Sequence, residues 1–142
     1  TLDKSAVKLG GCANHRIGLY DMFLIKDNHI EVAGSITKAV EACVKYNKKH
    51  HSRFKIEVET KNLKEVEEAI KTKSDVIMLD NFEIDEMTKA VELINGKCKV
   101  EASGGVNLDT VKAIAETGVD FISVGALTHS VKALDISLEI TL

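Results

Sequence analysis

The sequence predicts an α/β fold built as a parallel β/α barrel of the TIM type, incomplete in these 142 residues. Three observations carry that prediction. Short apolar runs alternate with stretches of helical period along the whole chain. Corresponding points of the last four runs recur at roughly 21–23 residues, the length of one compact β/α unit. The second side of the runs carries acids and a lysine where a sheet covered by helices on both faces would be apolar. About five to six β/α units fit the chain, fewer than the eight that close such a barrel.

The first run, Met22–Lys26, sets Ile25 against Leu24, Lys26 and Asn28 by the two-residue alternation of a strand. A helix follows with Ile36, Ala39, Val40, Cys43 and Val44 on one face. The second run, Phe54–Glu59, puts Ile56 and Val58 on one side and Lys55, Glu57 and Glu59 on the other. Asn62, with Glu65 three residues on, then opens a helix whose face is Leu63, Val66, Ala69 and Ile70.

The third run, Asp75–Leu79, continues to Asp80, with Ile77 and Leu79 opposing Met78 and Asp80. Its helix presents Ile84, Met87, Val91 and Ile94 and ends at Asn95-Gly96. The fourth run, Lys97–Ala102, sets Val100 and Ala102 against Glu101 and Ser103. Asn107 caps the next helix, with Leu108, Val111, Ile114 and Ala115 on its face and Gly118 at its close. Phe121–Val124 is the fifth run. Beyond it, Leu134, Ile136, Leu138 and Ile140 alternate like a strand, while Val131 to Leu138 also fits a helix.

One side of the sheet thus buries against helices, and the other gathers charge toward each strand's C-terminal end. Charge converging there suits a barrel interior whose top layer is an active site. Buried carboxylates need partners, so cations, hydroxyls or a metal are expected in the lumen.

Composition narrows the function. The chain is 44% hydrophobic and 29% charged with net charge −3, and it has no basic block. Only 4% of residues are aromatic, which argues against stacking on nucleic-acid bases. No apolar run reaches membrane-spanning length. Nucleic acid and membrane are therefore excluded as expected partners. Cys12, Cys43 and Cys98 are odd in number and widely spaced, which fits neither a disulfide framework nor a metal site and predicts a cytoplasmic protein. The chain opens on Thr1 and no signal peptide is visible, so a piece of a longer protein is expected.

Several residue groups carry chemistry. Ser103-Gly104-Gly105 lies between a strand and a helix, where backbone N–H groups and a helix N-terminus receive an anion. Gly125 repeats the arrangement one unit later, and glycine loops after consecutive late strands are the phosphate cradle of such barrels. The plainer reading, tight turns, suits a single Gly-Gly better than two in register. Glu59 and Asp80 end adjacent strands, where carboxylates grip sugar hydroxyls, approach Mg²⁺ through its waters or stabilise a cationic sugar. For Glu57 and Glu101, one layer deeper, that reading and one of acids satisfied by barrel lysines stay open. Lys26 points inward by alternation, which calls for a ligand or an acidic partner. His15 and Arg16 offer an imidazole and a planar fork to a carboxylate, although a tripeptide Asn14-His15-Arg16 on its own reads as an exposed polar loop. His129 follows the Gly125 loop, within reach of a phosphate or simply solvated.

Asn14-His15-Arg16 with Gly18-Leu19, then Leu24-Ile25-Lys26-Asp27-Asn28-His29, Ile56-Glu57-Val58-Glu59, Leu79-Asp80-Asn81-Phe82, Glu101-Ala102-Ser103-Gly104-Gly105 and Gly125 together resemble the quinolinate phosphoribosyltransferase family, the carboxylating nicotinate-nucleotide pyrophosphorylases. Any one of these words is weak, whereas six in order across the chain are specific. Cys12, where the family usually has glycine, and Ser5, where it usually has tyrosine, depart from the pattern.

The resemblance implies that residues 1–142 are a C-terminal α/β-barrel domain, normally preceded by an α/β-sandwich domain and the first barrel strand or strands. It implies transfer of phosphoribose from phosphoribosyl pyrophosphate to quinolinate with decarboxylation, giving nicotinate mononucleotide, pyrophosphate and CO₂ for NAD biosynthesis. Mg²⁺ is the implied cofactor, held through the pyrophosphate with Glu59 and Asp80 nearby and no residue assigned as its ligand. The implied assembly is a homo-oligomer, either a dimer or a hexamer of dimers. Carried over residue by residue, His15, Arg16 and Lys26 hold the substrate's carboxylates. Glu59 and Asp80 bind the ribose hydroxyls and support the cationic transition state, so that Lys26, Glu59 and Asp80 are the catalytic set. Ser103, Gly104, Gly105 and Gly125 cradle the 5′-phosphate, with His129 beside them. The family's substrate-binding arginine and lysine upstream of this stretch are not in the chain, so the fragment is expected to be inactive alone. Two other readings compete: a related nicotinate-type or molybdenum-transport-associated homologue, and a non-catalytic barrel fragment that binds a phosphorylated metabolite.

Overall fold

The Val-, Ile- and Leu-rich runs form five strands, β1 (Met22–Ile25), β2 (Lys55–Thr60), β3 (Val76–Asp80), β4 (Lys99–Ser103) and β5 (Phe121–Ile122). They come from a computed structural model that describes residues 2–141, so Thr1 and Leu142, the ends of the expected 1–142 domain, lie outside the described residues. Every neighbouring pair is parallel. The strands lie side by side in chain order, β1-β2-β3-β4-β5. A doubly wound sheet reverses its order at a switch point, and this one does not. Right-handed crossovers that all step the same way put every helix on one side of the sheet, as in a barrel wall.

Among the described residues seven helices accompany them: α1 (Leu2–Leu9), α2 (Asp27–Ala33), α3 (Ile36–Lys49), α4 (Leu63–Ala69), α5 (Ile84–Ile94), α6 (Val111–Glu116) and α7 (Ala126–His129). The expected caps form. Asn62 Oδ1 accepts the Glu65 N–H at 3.0 Å, and Asn95 ends α5 in the left-handed region with φ 45°. Ile25, Ile56, Val58, Ile77, Leu79, Val100 and Ala102 meet Ile36, Val40, Val66, Met87, Ala90, Ile94 and Ile114 from the helices in one apolar core. Full burial of each large side chain there contributes about 1.5–3 kcal/mol.

The structure corrects the sequence reading in several places. β1 stops at Ile25, and Asp27 begins α2, so Asn28 is helical rather than part of the first strand. A capping arrangement explains the break: the Lys26 N–H donates to His29 Nδ1 at 2.9 Å, with histidine where a capping box has Glu or Gln. Asn107 accepts the Asp109 and Thr110 N–H groups at 2.8 and 3.1 Å, as a cap does, but regular helix starts only at Val111. Leu108, 95% exposed, therefore faces away from the core, and Ala115 is exposed as well. β5 is two residues long rather than four. Residues 131–141 form neither the strand nor the helix that their pattern allows, and their apolar side chains are exposed.

Candidate active site

Because all five strands run parallel, their C-terminal ends share one edge, and the residues that follow them face one another there. That edge carries Lys26 after β1, Glu59 at the end of β2, Asp80 at the end of β3, the Ser103–Gly105 turn after β4 and Gly125 after β5. The expected substrate-binding residues are thus brought to one end of the sheet, with His15 and Arg16 arriving from the loop before β1.

Lys26 Nζ lies 3.2 Å from Glu59 Oε2. The acidic partner that alternation called for is therefore Glu59. The Lys26 side chain is about half exposed, which relieves the cost of burying an ammonium. Glu59 is buried, so the pair holds a carboxylate at the strand end that would otherwise be expensive to keep charged. In the strand register Glu59 stands opposite Met78. Asp80 accordingly sits two residues farther along the same face rather than level with Glu59. It is partly exposed, and its Oδ2 accepts from Asn81 Nδ2 at 3.0 Å.

Below this edge lies a second cluster. His15 Nε2 is 2.9 Å from Glu57 Oε2 and 3.8 Å from Glu101 Oε1. Glu57 is 1% and Glu101 5% exposed. The Ser123 hydroxyl donates to Glu101 Oε1 in a short hydrogen bond. The hydrogen bond to Glu57 raises the His15 pKa above 6.5, against burial and the nearby Arg16 guanidinium, which both lower it. Burial raises the Glu101 carboxyl pKa, and the neighbouring Glu57 adds to the effect. One donor atom from each of His15, Glu57 and Glu101 falls within 4.8 Å of the others, a spacing that a cation can bridge. The direct His15–Glu57 hydrogen bond fills that gap with a proton instead.

The cluster also reports the sheet's curvature. Glu57 pairs with Val76, and Val76 with Lys99, so Glu101 stands two residues beyond the level of Glu57. Both still meet one imidazole nitrogen. A climb of two residues over two strands is the shear of a barrel in which alternate strands share a layer. Glu57 and Glu101 therefore belong to one layer, as the alternation suggested.

The glycine loops have specific geometric reasons. Gly104 has φ +93°, and a Cβ there would fall 2.2 Å from Asn81 Oδ1. Only glycine accommodates both demands. Asn81 itself occupies the left-handed region with φ 55°, and its N–H donates to the Ser103 carbonyl at 2.9 Å. Gly105 has φ +61° and open space where a side chain would stand. Gly125 has ordinary helical φ, but a Cβ would lie 2.6 Å from His129 Nε2. His129 therefore folds back over the Gly125 loop, with Nδ1 2.7 Å from Ser130 Oγ. Gly105 thus keeps open space beside its Cα, while Asn81 and His129 stand against Gly104 and Gly125.

The Arg16 carbonyl accepts from Lys4 Nζ at 2.8 Å, which ties its loop to α1. Asn14 reinforces the tie by donating Nδ2 to the Lys4 carbonyl at 2.9 Å. Sequence reasoning did not single out Asn81, Ser123 or Lys4. Asn81 was signalled by its position directly after a strand-end aspartate, since Asn tolerates the left-handed turn. Nothing local signalled Ser123 or Lys4, whose contacts lie 22 and 12 residues away. Among the described residues no helix is long and apolar enough to cross a membrane.

Comparison with known proteins bears on the family and the fold. Residues 1–139 match the family described as quinolinate phosphoribosyl transferase, C-terminal domain. The chloroplastic nicotinate-nucleotide pyrophosphorylase (carboxylating) of Oryza sativa is 51% identical over 154 residues, covering 98% of this chain and 42% of the relative. The probable enzyme of that name from Bacillus subtilis is 48% identical, covering 99% of this chain and 48% of its own length. The solved nicotinate-nucleotide pyrophosphorylase of Francisella tularensis superposes with a TM-score of 0.88 at 48% identity, over 94% of this chain and 46% of that one. This chain spans less than half the length of each. On sequence and on fold, it belongs to the quinolinate phosphoribosyltransferase family, over the stretch that forms the family's C-terminal domain.

Proposed function

We propose that this chain carries the ribose-phosphate half of a site that transfers phosphoribose from phosphoribosyl pyrophosphate to quinolinate with loss of CO₂, releasing nicotinate mononucleotide and pyrophosphate. The observation that carries the reading is the meeting of the Lys26–Glu59 pair and Asp80 with the glycine loops of β4 and β5 at one strand edge. In this reading Glu59 and Asp80 accept the ribose hydroxyls. As the bond to pyrophosphate lengthens, positive charge grows on the sugar, and two carboxylates fixed beside it lower that barrier without reorganising. The backbone N–H groups of Ser103, Gly104, Gly105 and Gly125, with His129 over the last, hold the 5′-phosphate. His15, Arg16 and Lys26 supply the cations that a diacid requires. No side-chain nucleophile enters the scheme.

Mg²⁺ fits this donor set, since Asp80 offers a hard, partly exposed carboxylate beside the place for pyrophosphate. Bound there, the ion would neutralise the leaving group's charge, and Asp80 would accept hydrogen bonds from its waters. Upstream segments of a longer polypeptide complete the diacid pocket in this reading, and a homo-oligomer places them. The reading includes a cytoplasmic location, which rests on the chain's cysteine usage; fractionation of source cells tests it, since relatives are named chloroplastic or mitochondrial.

Isothermal titration of the protein with nicotinate mononucleotide, with and without Mg²⁺, tests the assignment. Saturable binding that Asp80→Ala weakens by about tenfold or more supports it, that loss being the size of a hydrogen bond to a charged group. Equal affinity in the variant would sink it.

A further inference from the structure

The buried carboxylate of Glu57 has no place in the scheme above, and its geometry assigns it one. Glu57 lies in the middle of β2, 1% exposed, with Oε2 on His15 Nε2 and Oε1 without a hydrogen-bond partner among the described residues. A carboxylate this deep stays charged only beside a cation. The groups facing His15 are Glu57 from β2, Glu101 from β4 and Arg16 from its own loop. Two acids against one guanidinium favour the imidazolium, and the Ser123 hydroxyl already satisfies Glu101. With Nε2 committed to Glu57, Nδ1 is the ring nitrogen left for a ligand, and the side chain is about one-third exposed.

We propose that Glu57 is a positioning residue that keeps His15 as an imidazolium, so that Nδ1 presents an N–H and a positive charge to a carboxylate of the ligand. The inference rests on the reading of a dicarboxylate site and deepens it. The chemistry turns on one proton. A neutral imidazole that donates Nε2–H to Glu57 shows a lone pair at Nδ1, which repels a carboxylate. The imidazolium donates at both nitrogens. Glu57 thus decides whether the outward face of His15 attracts or repels the substrate class, without touching the substrate itself.

Glu57→Gln isolates the effect, because the amide oxygen still accepts Nε2–H while the charge is gone. The histidine titration is followed by ¹⁵N NMR in both proteins, and binding of quinolinate and of ribose 5-phosphate is measured by calorimetry. His15 in the unmodified protein is expected to titrate above the ordinary 6.5, and in the variant lower than that. Quinolinate affinity should fall about tenfold in the variant at a pH between the two His15 midpoints and recover on acidification, as His15 regains its proton, while ribose 5-phosphate affinity stays unchanged. A purely structural role for Glu57 would give a loss that acid does not rescue, and that result overturns the inference. So does an unshifted His15 midpoint, or one at or below 6.5 in the unmodified protein should the variant fail to fold. Failure of the unmodified protein to bind ribose 5-phosphate would instead overturn the functional reading, leaving the His15 titration to be judged on its own.

Discussion

The two faces of the central sheet are made from alternating residues of the same strands and do opposite things. On β2, Ile56 and Val58 turn to the helices and vanish into the core, while Glu57 and Glu59 turn to the other side and are buried as well. The first pair stabilises by leaving water. The second gives up hydration and recovers it only through His15 and Lys26. The helix face is thus the source of stability, and the inner face holds charge in a shape that a ligand can use. Stability and function are divided by one step of the pleat.

Substitutions that separate the faces test this division. Leu79→Ala, on the helix face of β3, is expected to lower stability by about 2–5 kcal/mol. Glu59→Gln on the inner face should leave the denaturation midpoint nearly unmoved yet weaken nicotinate mononucleotide binding. Urea titrations paired with calorimetry read both, and equal destabilisation by the two changes would break the comparison.

Gly104→Ala addresses the edge where the faces meet. The left-handed φ alone costs about 1–3 kcal/mol. The added methyl would also collide with Asn81, so Gly104→Ala with Asn81→Gly should recover part of the loss. No recovery would show that backbone strain acts alone.

A smaller effect is expected from pH. The pKa of His15 is raised by the Glu57 hydrogen bond and that of Glu101 by burial, so both bind protons more tightly in the folded chain. Stability from these groups is full below their unfolded pKa values and is lost as pH rises through the folded ones. Asp120 works in the other direction. The Lys99 ammonium at 2.6 Å holds its pKa below 3.8, so its contribution is lost as pH falls through that lowered value. Thermal melts should therefore decline on both sides of a mildly acidic optimum, and a curve still rising past neutrality would contradict the assignment.

Much of this was legible in the sequence because it is local. Alternation within each strand placed Ile56, Val58, Ile77 and Leu79 on one side and the acids on the other, and the register agrees. The same rule misled at Lys26-Asp27-Asn28-His29, where extending the strand hid a helix start held by the His29 imidazole. The tail misled for the converse reason: Leu134 to Ile140 alternate, but alternation alone does not make a strand without backbone pairing to a neighbour, and residues 131–141 make none. For the site, the strand-end residues could be read from position. The link from His15 to Glu57 could not, since it depends on how a loop crosses a sheet 42 residues away. Lys26 was expected to need a ligand or an acidic partner, and its half-exposed pair with Glu59 shows that a strand-end lysine can reach an acid and keep its head in water.

The chain-order sheet also bears on how this polypeptide acquires its structure. From β2 onward each strand pairs with one only about twenty residues away, as Val58 with Ile77 and Ala102 with Ile122. Closing loops that short costs little entropy, and from β2 to β5 no pairing must wait for a distant segment. Each new β/α unit can dock on the one before it as soon as it leaves the ribosome. The acids of the inner face then come together last, as a by-product of a wall raised strand by strand.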